Sequence, residues 1–298
     1  MKHTFIDPHE VADTLNGFFL RKSIDLSIEP YVDLDINSDD KFFKWNRTDK
    51  KRLIPEDKLS TYLQKSIFKP IEGGVQSFYH YLPKIEYLNE IIDTGCIRLY
   101  NLNKFLNNKN DPKEYKFFLE SFGINFPKYE EQIKSIKDDI FIWCLTKSSN
   151  SERHWETYGN NGQGVVVEVN FKFTEVNNGC IQLMSICYDL DFLKELQILT
   201  KEKFNKIFDI TGYPLFAKYF KEKRFEWENE IRLSFDNNLW YASKAMQAYF
   251  KHVFPEAKEL NTIFEERIDP FCNEKYILVP LKNSLFEIEI VEIIKRNI

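Results

Sequence analysis

The sequence predicts an α+β protein: a mixed or antiparallel central sheet with flanking helices and a helical N-terminal extension. Three observations lead there. Alternating and apolar strand-like segments outnumber clean strand–helix–strand units. The run Val165-Val166-Val167-Glu168-Val169 reads as the clearest strand in the chain. No GxGxxG follows a strand, which argues against a doubly wound dinucleotide fold.

The elements follow in order. Asp7-Pro8 opens a helix with Val11, Leu15, Phe18 and Phe19 on one face. Residues 31–40 alternate weakly, and Leu59, Leu63, Ile67 and Phe68 form a further apolar helical face. Gly73-Gly74 breaks the pattern, so a mostly helical region 1–74 is expected before an α+β domain over 75–298. Residues 77–82 form an aromatic strand that Pro83 ends. Tyr87, Leu88, Ile91 and Ile92 make a helix face stopped by Gly95, with a strand over 96–100. A turn over 107–112 and helices over 114–122 and 128–136 come next. Strands are expected over 140–146, 164–171 and 181–188, and helices over 192–208 and 215–225. The last strands are 228–235, 276–280 and 286–294, with acids on the alternate face of the final one.

Composition excludes several classes. Gly and Pro number 10 and 11, too few for a collagen-like or low-complexity chain. A net charge of −5 lacks the basic balance of a protein that coats duplex nucleic acid. No apolar run reaches the ~20 residues of a membrane helix. Five Cys without a CxxC pair, and a polar start without an apolar signal region, lead us to expect reduced thiols in a cytoplasm. The 27 Phe and 15 Tyr are read as core first and stacking surface second.

Four clusters hold the chemistry-bearing residues. Tyr79-His80-Tyr81 places a His within an aromatic strand, its Tyr neighbours on the opposite face. The plain alternative is a structural His. Asn110-Asp111-Pro112 with Glu114 is a turn whose side chains satisfy local backbone groups. The third cluster runs from Trp143-Cys144 through His154, Trp155 and Tyr158 to Gly159, Gly162 and Gly164. Two aromatics and a glycine turn make a wall for a flat ring, and the glycines would let backbone N–H groups approach a ligand. An ordinary hairpin corner would look the same. In the fourth, a strand would put Glu226, Glu228, Glu230 and Arg232 on one face, with Trp227, Asn229 and Ile231 on the other. Such acid repulsion needs compensation, or else marks a solvated edge. Cys144 could act as a nucleophile with His80 or His154, but a thiol in an apolar strand is more often inert. Five His without HxxxH, HExxH or HxD give no metal motif.

Taken in order over about residues 78–235, these clusters resemble a bacterial family known as domain of unknown function 2971. That family shows a Tyr-basic-Tyr strand, Asn-Asp-Pro followed by an acid, and a Cys-containing strand. Trp and Tyr before a Gly turn come next, then a Glu-x-Glu-x-Arg strand. Here these are Tyr79-His80-Tyr81, Asn110-Asp111-Pro112 with Glu114, Cys144, Trp155, Tyr158 and Gly164, and Glu228, Glu230 and Arg232, with Lys221 upstream. Lys109, Lys113, His154, Phe225 and His80 depart from the family's usual residues.

A looser similarity to ADP-ribosyltransferase folds supplies an activity. It implies a split sheet and NAD as substrate. His80 would bind the adenosine ribose, and Tyr158 would stack on nicotinamide. Glu230 would hold the nicotinamide ribose, and Glu228 would orient or deprotonate the acceptor. Tyr79, Tyr81, Asn110, Asp111, Trp155, Gly164 and Arg232 would line the NAD site. The expected role is a toxin or anti-phage defence effector acting on a protein or nucleic-acid acceptor, with an antitoxin as partner and no membrane. Two other readings stand beside it. One is a non-catalytic nucleotide- or partner-binding sensor module. The other is a Mg-dependent nuclease-type toxin using Asp111, Glu114, Glu228 and Glu230.

Overall fold

A computed structural model describes residues 8–25, 43–44, 52–55, 62–63, 66–69, 71, 74–102, 137–173, 181–208, 217–236, 276–282 and 286–296. These fall into two compact units. The first takes the described residues of Met1–Lys69 and Cys187–Lys223; the second takes those of Pro70–Asp111, Glu130–Ile186 and Arg224–Ile298. The region expected as an N-terminal extension is therefore one piece of a unit that also draws on the middle of the chain.

In the first unit, α1 (Pro8–Leu20) buries Val11, Leu15, Phe18 and Phe19, the face its spacing predicts. Phe18 and Phe19 pack on Phe192 at ring distances of 5.5 and 5.9 Å, and Phe19 meets Phe208 at 6.3 Å. Three short strands, β1 (Phe43–Lys44), β2 (Arg52–Pro55) and β8 (Ile207–Phe208), form a small sheet in the order β1-β2-β8.

The second unit is built on an eight-stranded antiparallel sheet, so the fold is α+β as the sequence predicts. Its strands are β3 (Val75–Leu82), β4 (Cys96–Asn101), β5 (Ile140–Thr146), β6 (Val165–Phe173), β7 (Ile181–Ser185), β9 (Glu230–Asp236), β10 (Tyr276–Pro280) and β11 (Phe286–Lys295). Between β3 and β4 runs α2 (Ile85–Thr94), closed by Gly95 at φ 63. That left-handed cap is the conformation for which glycine carries no steric penalty.

Strand β5 organises the sheet. One of its edges pairs with β9 along the whole of Ile140–Thr146. The other edge is shared: Ile142 and Phe141 face Tyr100 and Asn101 of β4, while Thr146 faces Tyr79 of β3. The strands thus form two wings, β10-β4-β5-β9-β7 and β3-β6-β11, joined through the register pair Tyr79–Thr146.

Alternation sorts the residues of these strands between two faces. One face is the main core, with Phe78, Leu82, Trp143, Leu145, Val165, Val167, Val169, Ile231, Leu233 and Phe235 all buried. The other carries Tyr79, Tyr81, Cys144, Thr146, Val166, Glu230 and Arg232, where Tyr81 and Val166 pack with Trp155 as a smaller core.

Three expected elements are corrected. The helix 192–208 is α4 (Leu190–Phe204): Asn205 turns left-handed at φ 53, and the chain continues as β8. Of the helix expected over 215–225, the described residues 217–225 do not form one helix. A 3₁₀ turn Ala217–Tyr219 is followed by Phe220 bridging to Cys187, and a second 3₁₀ turn spans Lys223–Glu228. Strand β9 begins at Glu230, because Asn229 sits at φ 42 and breaks the extended run. The turn 107–112 and the helices 114–122 and 128–136 lie outside the described residues, as do residues 31–40.

Candidate active-site corner

The smaller face gathers its polar groups where the two wings part. A short helix, α3 (Glu152–Thr157), follows β5 and is capped by Ser151, whose Oγ accepts from the His154 N–H. It presents His154 and Trp155 inward, 2% and 1% exposed. The glycine turn after it packs without room for side chains. A Cβ on Gly159 would stand 2.6 Å from the Trp155 ring, and one on Gly164 would collide with the Leu82 carbonyl. The N–H groups of Gly159, Gly162 and Gly164 all donate to carbonyls within the corner. The expectation that they serve a ligand is corrected: close packing requires Gly159 and Gly164, the left-handed backbone at φ 87 favours Gly162, and their donors are spent locally.

Glu228 enters from the 3₁₀ turn before β9 and is 4% exposed. Its Oε1 accepts from the Tyr158 hydroxyl at 2.6 Å, a short charge-assisted bond. Its carbonyl accepts from Thr146 Oγ1 at 2.8 Å and from His154 Nε2 at 3.1 Å. Rings surround this group. His154 stacks on Tyr81 at 5.1 Å and meets Trp227 edge-on at 5.0 Å; Tyr158 and Trp227 lie nearly parallel, 18° apart. The exposed Arg153 guanidinium sits over the Trp227 ring, 4.1 Å from its centre. Tyr81 ties the corner to the loop after β5, donating to the Ser148 carbonyl and accepting from the Ser151 N–H.

Glu230 is set apart from Glu228 by its partner. Its Oε1 lies 2.6 Å from Arg232 Nε, and both residues are buried, 5% and 0% exposed. The row of repelling acids predicted on one strand face does not form. Glu226 is exposed on the 3₁₀ turn, Glu228 bonds Tyr158, and Glu230 bonds Arg232.

His80 is placed on the main-core face, away from Tyr79 and Tyr81. Its Nδ1 donates to the Cys144 carbonyl at 2.8 Å, and its Nε2 accepts from Trp143 Nε1 at 3.0 Å. Both nitrogens are committed to one neutral tautomer. Burial lowers the imidazole's pKa to about 4, against a smaller opposing effect of the Cys144 carbonyl. The expected grouping of His80 with Tyr158 and Glu230 is thus not assembled: the Tyr meets Glu228, and the His lies behind the sheet. His80 also bonds the Cys144 backbone, so it does not activate that thiol.

Three residues of the corner were not assigned to the NAD site by sequence reasoning: His154, Trp227 and Arg153. His154 Nε2 faces a carbonyl, so it carries the proton, and burial lowers this imidazole's pKa as well. Its Nδ1 is then a buried lone pair without a hydrogen-bond partner, and the Trp155 and Trp227 Nε1 donors are likewise unpartnered. Each such group costs about 1–3 kcal/mol when left unmet. Asn110, Asp111 and Glu114 lie outside the described residues. Among the described residues, no group of three or more His, Cys, Asp or Glu is placed to hold a metal ion, and no helix is long and apolar enough to cross a membrane. Against known proteins, no family model, curated protein or solved structure matches the chain.

Proposed function

We propose that the corner binds NAD and transfers its ADP-ribose to an acceptor. The observation that carries this reading is the Tyr158–Glu228 bond, set among the rings of Tyr81, His154 and Trp227. A carboxylate beside stacked rings suits cleavage of a bond between a ribose and a flat cationic heterocycle. The nicotinamide ring would rest against Tyr158 at the Nε1 edge of Trp227, and Arg153 would turn its guanidinium to the pyrophosphate. Glu228 would accept from a ribose hydroxyl and stabilise positive charge developing on the sugar. The C1′–N bond breaks, and its electron pair returns to the pyridine nitrogen to release neutral nicotinamide. The acceptor then bonds C1′ and loses a proton. Glu230 and Arg232 position the start of β9, while Tyr79 and Tyr81 support the wall. An activity that consumes NAD harms its host cell, which fits a toxin or anti-phage effector acting on a protein or nucleic acid.

Nicotinamide release, measured by mass with Glu228→Gln beside the wild type, tests this. The variant keeps the Tyr158 bond through its amide oxygen, so its melting temperature should hold. Its turnover should fall by at least about 100-fold, the range seen on removing one transition-state charge contact. Full activity in Glu228→Gln would sink the reading. Glu230→Gln is a poorer probe, because it leaves Arg232 buried opposite a neutral group. A second reading, a binding module without turnover, is favoured by the internal satisfaction of His80 and the Glu230–Arg232 pair. It predicts saturable NAD binding with no nicotinamide released.

A further inference from the structure

The proposed site leaves two unmatched atoms on adjoining rings. His154 Nδ1 is an acceptor without a donor, and Trp227 Nε1 is a donor without an acceptor. The ring centres are 5.0 Å apart. His154 is 2% exposed and held in place through Nε2, stacked on Tyr81. Its tautomer is set by the Glu228 carbonyl, which can only accept. Buried polar atoms are usually paired, so an acceptor and a donor left without partners on neighbouring rings define the complement they lack.

We propose that His154 and Trp227 read the carboxamide edge of the heterocycle: an amide N–H donates to His154 Nδ1, and the amide oxygen accepts from Trp227 Nε1. This inference rests on the reading of the corner as a nicotinamide site and deepens it to a specificity rule. A primary amide offers both a donor and an acceptor from adjacent atoms. The matching carboxylate offers acceptors only, and would set negative charge against the His154 lone pair. The corner therefore selects the amide over the acid by the missing hydrogen, not by shape.

Nicotinamide and nicotinic acid are the probes, titrated into the full chain labelled with ¹⁵N at histidine. The amide should bind at least about tenfold tighter than the acid, the size of one charge-free hydrogen bond kept or lost. Its binding should also move the Nδ1 resonance of His154. Trp227→Phe keeps an aromatic ring, smaller than the indole, and removes the N–H, so affinity for the amide should fall about tenfold. Equal binding of the two probes, binding of neither, or an Nδ1 resonance already hydrogen-bonded in the free protein and unmoved by either, overturns the proposal. NAD turnover with no preference for the amide would end this inference and leave the transferase reading standing. Preference and resonance shift without turnover would support this inference while ending the transferase reading.

Discussion

The two units each hold an aromatic cluster, and they differ in kind. In the first, Phe18, Phe19, Phe192 and Phe208 pack ring to ring, and all four are nearly inaccessible. None has a polar atom on its side chain to satisfy. In the second, Tyr81, His154, Tyr158 and Trp227 pack at similar distances around a carboxylate, and two of them keep unmatched nitrogens. The first cluster gains stability from burial alone. The second gives up part of that gain by burying polar atoms without internal partners. An aromatic excess is therefore no guide to a binding surface; what separates core from candidate site is the polar handle on the ring.

Substitution should widen this contrast most sharply in the Phe cluster. Phe19→Ala should cost about 4 kcal/mol through lost burial and a cavity. Denaturant titration would show it as a lower midpoint, with the NAD binding proposed for the corner unchanged in the surviving folded protein. A smaller effect separates the two faces of the second unit. His80 is neutral in the fold, with a pKa lowered to about 4 from 6.5, so the unfolded chain binds more protons between those values. Stability should therefore fall as pH drops from about 6.5 to 4 and level off below, by about 3 kcal/mol in all. His154, lowered in the same direction, adds to it. Melting temperature against pH, with His80→Gln alongside, measures the His80 share as the part of the slope that the variant loses. Smallest in stability is Tyr158→Phe, at about 2 kcal/mol for one charge-assisted hydrogen bond to a buried carboxylate. If the corner is catalytic, this change should reduce nicotinamide release far more than it reduces stability. If it is only a packed corner, both readouts should move together.

Much of the fold was legible in the sequence. The run Val165–Val169, the strand 140–146 and the stop at Gly95 follow from local rules of pattern and backbone sterics. The candidate site was legible in part. Tyr158 and Glu228 were named, but Trp227 was read only as the off-face neighbour in a strand, and His154 as a member of the aromatic cluster, a candidate partner for Cys144 and a departure from a family pattern. Arg153 directly before His154 and Trp155 was the available signal: a cation, an imidazole and an indole in consecutive positions. Its weight was hidden because no helix is expected between the strands 140–146 and 164–171, where a Ser-capped helix turns His154 and Trp155 inward and leaves Arg153 exposed.

The sequence by itself determined which segments extend, which coil, and that His80 must point away from Tyr79 and Tyr81. Alternation requires that much. Only the tertiary structure decided which face became the main core, and so that His80 went to Trp143 while the tyrosines went to the corner. It also decided that Asn229 would end the acid-bearing strand early, sending Glu228 to Tyr158 and leaving Glu230 to Arg232. The reason is physical. Local pattern sets the period of a strand, but register and burial depend on partners far along the chain, here on β5 giving one edge to β9 and sharing the other between β3 and β4.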